Sequence, residues 1–249
     1  MRSQTMDRII KISFGIFIVI LVAFTGIIAF TGYTETAYRN TLTGTYSYTC
    51  NITTDSPLYN VTLFIPVPVD NTGNSPMVSE FSSHGMKGVP AEWETTLFDT
   101  GKSTLLKVMT PAILPPEGTS AQHPFTITFS SETTERTPIN TTDPVGQSAM
   151  FRPVQSLSEK TCPQGSADGA GRCFTYTTSL YADYSAAPGT TVAITAGVTG
   201  KNTWNIFEPY SNEYHTEVST KMNGEKHGWV VLEGELTSST GTYDSPGGS

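Results

Sequence analysis

The sequence predicts an all-β ectodomain, a β-sandwich of about eleven strands with the immunoglobulin-like arrangement among its forms, behind one N-terminal transmembrane α-helix. Three observations predict it. An uncharged apolar run lies near the start, apolar and polar residues alternate with period two beyond residue 40, and the composition is rich in hydroxyls and poor in charge.

The helix comes first. Residues 12–30, ISFGIFIVILVAFTGIIAF, carry no charge. At the α-helical rise they span about 28 Å, close to the hydrocarbon thickness of a bilayer. Arg2, Arg8 and Lys11 precede the run, whereas Arg39 is the only basic residue in the twenty that follow. Basic flanks stay cytoplasmic, so the chain from about Thr31 onward is expected outside the cell membrane. Ala29-Phe30-Thr31 is a poor signal-peptidase exit, and the run is longer than a signal-peptide core. A retained signal-anchor is therefore the expectation and cleavage the other reading. A pilin-type filament helix is a remote third, because the charged-then-small processing site before the run is missing.

The strands follow. In TYSYTCNI, Tyr46, Tyr48, Cys50 and Ile52 share one face and Asn51 the other; in LYNVTLFIPVPV, Tyr59, Val61, Leu63, Ile65, Val67 and Val69 share a face opposite Asn60 and Phe64. The turn residues TTDSP between the two runs predict a hairpin. AEWETTLF and STLLKVM flank a turn at residues 99–102, and HPFTITFS, RCFTYTTSLY, TTVAITAGV and NTWNIF supply further strands. The last pair, YHTEVSTKM and HGWVVLEGEL, brackets Asn223-Gly224, a strong short hairpin signal. The expected layout is residues 1–11 as a basic cytoplasmic N-terminus, 12–31 as the anchor, 32–40 as a juxtamembrane linker, 41–236 as the β-sandwich and 237–249 as a disordered tail. Residues 131–160 alternate weakly and hold three prolines, so a split there into two small β domains is the alternative.

About a quarter of the chain is Thr or Ser, and only 14% is charged. β-branched Thr suits the half-wetted face of a sheet. The net charge of −8 includes +2 from residues 1–11, so the remainder carries −10. A domain this acidic repels phosphate backbones, which argues against nucleic acid as a partner. The partners expected are the lipid bilayer, through the helix, and a protein or glycan.

Cys162 and Cys173 bracket CPQGSADGAGRC, and outside the cytoplasm a disulfide between them is expected. Closing so short a loop stabilises the fold by roughly 2–3 kcal/mol in the chain-entropy account. Asp168-Gly169 in that loop lacks the spaced oxygen ligands of a calcium site, and no cysteine–histidine spacing suits zinc. Cys50, on the apolar face, is expected to be a free, buried thiol. Asn51, Asn60 and Asn140 each begin an N-x-[ST] sequon and are candidate glycosylation sites.

No cofactor or metal ligand set is expected, and no catalytic residue. Ser83-His84 is a chance-level pair. Glu213, His215 and Glu217 share one strand face, and Glu92 and Glu94 flank Trp93. Such carboxylates are usual on exposed strands, yet two converging in a cleft would serve a glycosidase. The expected function is therefore a membrane-anchored, extracytoplasmic, non-catalytic protein with a binding, adhesion or envelope-structural role. An anchored hydrolase of envelope polymers is the alternative. In layout the chain resembles single-pass archaeal surface proteins that join a short basic start, one apolar helix and a Thr-rich acidic β ectodomain; that likeness carries over no functional residue.

Overall fold

The computed structural model describes residues 2–82, 85–99, 103–162 and 170–239. Ser83-His84, the turn at residues 100–102, Asp168-Gly169 and the tail from residue 240 lie outside the described residues.

Helix α1 (Arg2–Thr41) contains the apolar run, whose side chains are exposed among the described residues. Its threonines do not break it, because their hydroxyls donate back to carbonyls one turn earlier: Thr25 to Leu21 at 2.6 Å and Thr36 to Gly32 at 2.7 Å. Residues 32–40, expected as a linker, instead continue the helix, aided by the i,i+4 pair Glu35–Arg39 at 2.5 Å. At about 1.5 Å per residue the 40-residue helix is about 60 Å long, roughly twice the hydrocarbon thickness of a bilayer. The helix ends on a side-chain lock. The Thr41 hydroxyl donates to the Asn205 carbonyl at 3.1 Å and accepts from the Asn205 N–H at 2.8 Å.

The rest is mostly β. In chain order the elements are β1 (Thr43–Thr54), β2 (Leu58–Pro66), β3 (Pro68–Val69), α2 (Val78–Ser82), β4 (Glu94–Asp99), β5 (Thr104–Ile113), β6 (Phe125–Glu135), α3 (Pro144–Gln147), β7 (Met150–Phe151), β8 (Gln155–Lys160), β9 (Ala170–Ala186), β10 (Thr191–Ile206), β11 (Glu208–Asn223) and β12 (Lys226–Ser239). One antiparallel sheet runs β4-β5-β2-β9-β12-β11-β10-β1-β6, and β8 pairs with β9 as the tenth strand. The sheet curls into a half-barrel. This corrects the expected sandwich, immunoglobulin-like or otherwise: the two walls are one continuous sheet, joined through β9, β12, β11 and β10. Period-two alternation reports that one face is buried, and it reports the same whether a second sheet or the curl of the first covers that face.

The first expected hairpin is also corrected. β1 pairs with β10 and β6, while β2 pairs with β5 and β9. Asp55 explains the departure, since its N–H donates to Thr191 at 3.3 Å and its carboxylate accepts from the Thr191 N–H at 2.9 Å. These bonds bind the turn to β10 and send the chain across the core to the opposite wall. TTVAITAGV and NTWNIF, expected as two strands, are one, the 16-residue β10. The Asn223-Gly224 turn forms, with Gly224 at φ +68°, but β11 and β12 pair only from His215–Ser219 to Glu233–Thr237. Nearer the turn, β11 stays with β10 and β12 turns away to β9.

The core lies inside the curl. Its largest buried side chains include Tyr48, Tyr176, Tyr184, Tyr214, Phe129 and Phe151. The open side is covered by the small β3–β7 sheet, with Pro68 opposite Phe151, and by α2, which touches both β4 and β6. Phe81 of α2 meets Tyr48 edge-on at 5.3 Å between centroids. Two tyrosine rings lie flat over glycines of the neighbouring strand: Tyr214 over Gly200 and Tyr176 over Gly234. A Cβ on Gly200 would come to 2.2 Å from the Tyr214 ring, whose hydroxyl is fixed by donation to Ala149 O at 2.5 Å. Gly200→Ala is therefore expected to destabilise the domain by about 2–3 kcal/mol, read as a lowered denaturant midpoint with the slope unchanged. A midpoint equal to the parent's would contradict this packing.

Candidate binding surface

Exposed aromatic side chains on a sheet's outer face stand out, because that face normally carries polar groups. Here the alternation places Phe98 on β4, Phe64 on β2, Tyr181 on β9 and Trp229 on β12 all outward. Register brings them together, since Phe64 is paired with Tyr181 and Tyr181 with Trp229, while Phe98 leans over β5 to reach Phe64. Successive ring centroids are 5.6, 5.7 and 5.7 Å apart, all edge-to-face. Such contacts hold each ring in one orientation. Lys107 adds its ammonium 5.9 Å from the Phe64 centroid. Trp229 remains 62% exposed and Val231 beside it is exposed too. At the row's end His227 Nδ1 and Asp183 Oδ1 are 2.6 Å apart. The result is a rigid aromatic ridge with a charged rim on the strands furthest along the sheet from β1 and α1.

The carboxylates singled out in the sequence do not converge. Glu213, His215 and Glu217 do share the outer face of β11. Glu213 faces Lys201 at 3.1 Å, His215 Nδ1 lies 3.0 Å from the Thr199 hydroxyl, and Glu217 stands opposite Glu235, itself paired with Lys160 at 2.5 Å. Glu94 lies on β4, five strands away along the sheet, which is about 24 Å at the usual strand spacing. A cleft of about 600 Å³ beside Met86, Val89 and Trp93 has Glu94 as its one acidic lining residue. No group of three metal-ligating side chains occurs among the described residues.

Cys162 and Cys173 form the disulfide, Cα atoms 5.2 Å apart, and tie the end of β8 to β9. A bidentate Arg172–Glu159 pair, 3.0 and 2.7 Å, sits beside it. A disulfide belongs to oxidising compartments outside the cytoplasm. Cys50 is free and fully buried between β10 and β6, and burial pushes its thiol up to about 12. Thiol reagents are expected to leave it untouched in the folded protein from about pH 7 to about pH 10, because neither access nor thiolate is available. Labelling at the rate of an exposed cysteine would refute this.

The sequons differ in freedom. Asn51 faces out from β1, one strand in from the sheet's edge, its Oδ1 accepting from Thr128 on β6 at 2.7 Å. Asn140 Oδ1 accepts from the Asp143 N–H at 2.9 Å and the Thr142 hydroxyl at 3.1 Å, so its side chain holds the turn before α3. Asn60 is exposed at a bulge in β2 with φ +51°. That bulge also flips Tyr59, expected with Val61 on the core face, out to solvent. Of the three, Asn60 presents the most open acceptor.

No family resemblance decides the matter. Compared with protein-family models, curated proteins and solved structures, the chain matches none of them. The function must therefore be read from the surface itself. Sequence reasoning missed the aromatic ridge. The signal was present in the alternation, where Phe64, Tyr181 and Trp229 fall on polar faces. Recognising the ridge needed the strand order, which places three distant segments side by side.

Proposed function

We propose that the chain is a single-pass protein of the cell membrane, N-terminus cytoplasmic, holding its curled β domain outside to bind an envelope partner without catalysis. The observation that carries this reading is the aromatic ridge Phe98–Phe64–Tyr181–Trp229, built on strands and open to solvent. Aromatic faces bordered by charged and hydroxyl groups suit the apolar faces and rims of sugar rings, so a glycan of the envelope is the favoured partner. The helical run on each side of the apolar segment supports a retained anchor that acts as a stalk. The hydrolase alternative needs two carboxylates in one cleft. Glu217 and Glu235 do stand opposite each other, with Glu233 and His215, around a depression of about 270 Å³. Lys160 pairs with Glu235 there at 2.5 Å, and the Glu217→Gln variant below tests that place directly.

Sedimentation of the detergent-solubilised chain with isolated envelope polysaccharide, and separately with isolated surface-layer protein, tests the reading. The expected result is binding to the polysaccharide that falls at least tenfold when Phe64 and Trp229 are both changed to Ser, with the tyrosine and disulfide signals of the fold unchanged. Binding to the surface protein alone would move the partner to that class. Cleavage of either polymer, lost in Glu94→Gln or Glu217→Gln, would overturn the non-catalytic reading.

A further inference from the structure

The hairpin joining β10 to β11 ends in one residue, Phe207, between the paired Ile206 and Glu208. Phe207 has φ +71°, a conformation that a bulky side chain rarely adopts, and it is 68% exposed. Its ring is not directed at the domain's core. It stacks on two rings of α1, Phe30 at 6.1 Å and Tyr33 at 5.5 Å between centroids. Phe30 is the last residue of the apolar run, so it marks the outer edge of the hydrocarbon if α1 spans a bilayer.

The hairpin's course along the helix agrees with that level. Trp204 meets Tyr38 edge-on at 5.7 Å, and three residues further along, Phe207 meets Tyr33 and Phe30. Three strand residues advance about 10 Å, and five to eight helix residues about 8–12 Å, so the strand runs straight down the stalk toward the membrane. Trp204, Ile206 and Leu42 pack as a small separate core with Tyr38 and Tyr210, which holds the hairpin in this position. Tyr and Trp rings collect at this depth in membrane proteins, where an apolar body meets the headgroups, and Tyr33 stands at that level with the two apolar Phe rings beside it.

We infer that the β10–β11 tip is a second membrane contact, with Phe207 seated at the boundary of the outer leaflet beside Phe30 and Tyr33. The inference rests on the anchor reading. It adds that the β domain is fixed in tilt and height against the bilayer, so the aromatic ridge points away from it. Glu208 adjoins the tip, and Glu35 and Arg39 lie about one and a half and two and a half turns beyond Phe30. The tip therefore suits a zwitterionic lipid surface rather than an anionic one.

The test uses the full chain in phosphatidylcholine vesicles with a nitroxide at Glu208→Cys, Cys50 being buried and the other two cysteines paired. Collision with apolar oxygen is compared with collision with a water-soluble nickel chelate, and the same label is placed at Leu21→Cys and at Val231→Cys. The expected result is oxygen-dominated collision at 208, stronger still at 21, and nickel-dominated collision at 231. Adding Phe207→Ser should lower the oxygen-to-nickel ratio at 208 severalfold and leave 21 unchanged. A dry 21 with a 208 as wet as 231 overturns the inference and leaves the anchor standing. A ratio at 208 indifferent to Phe207→Ser also overturns it. A wet position 21 sinks the anchor reading and the inference with it.

Discussion

Raising the pH from about 9 to about 11.5 unfolds the β domain in one cooperative step, with tyrosinate absorbance and loss of native tryptophan emission coinciding. Burial holds the Tyr46 and Tyr184 hydroxyls up at about 12 and the Cys50 thiol at about 12, and it drives Tyr48, Tyr176 and Tyr214 higher still. A group whose folded pKa is raised stabilises the fold fully below its unfolded pKa and loses that contribution as pH climbs toward the folded value. In the unfolded chain the thiol ionises near about 8.5 and the tyrosines near about 10. Above about pH 10 each group that must stay neutral in the fold removes up to about 1.4 kcal/mol per pH unit, and several acting together reach the scale of an ordinary domain's stability within one to two units. Tyrosinate absorbance accounting for all eleven tyrosines by about pH 11, with native tryptophan emission retained, would mean that these five rings are not buried as described.

A single buried amide should produce the second large effect. Asn202 on β10 donates to Ile139 O at 2.8 Å and accepts from Ile139 N–H at 2.8 Å, so its side chain imitates a strand partner for an otherwise irregular segment. It donates a further bond to Asn212 Oδ1 on β11 at 2.8 Å. Asn202→Leu removes these partners while the N–H and carbonyl of Ile139, itself buried, stay out of water. The expected cost is about 3–5 kcal/mol, the sum of two or three stranded buried groups. A urea midpoint shifted by less than about 1 kcal/mol equivalent would show that water replaces the amide without loss.

These two sites show where the sequence was readable and where it was not. The alternation in TYSYTCNI placed Tyr46, Tyr48, Cys50 and Ile52 on a buried face, because burial of every second residue is a local signal. The Cys162–Cys173 bond was readable as well, since the two cysteines stand only eleven positions apart in a stretch expected outside the cytoplasm. Asn202 was not legible. An Asn in NTWNIF reads as a turn residue, and only its contact with Ile139, 63 positions away, makes it a strut. The same holds for the sheet's curl and for the aromatic ridge. Both arise from pairings such as β2 with β9 and β1 with β6, whose long separations leave no trace in local pattern. That the juxtamembrane linker over residues 32–40 is helical was not legible either, for a different reason. Its threonines score as weak helix formers, but their hydroxyls bond within the helix, and Thr41 and Tyr38 are held by β10.

The β domain is expected to stand outside the membrane on a retained helix. This placement is tested most directly in intact cells by a membrane-impermeant thiol reagent on Val231→Cys, an exposed position beside the ridge. Buried Cys50 and the disulfide give no background. Rapid labelling of the cell-associated, full-length chain before any permeabilisation is the result expected. Labelling only after the membrane is opened would place the domain on the cytoplasmic side and contradict the account.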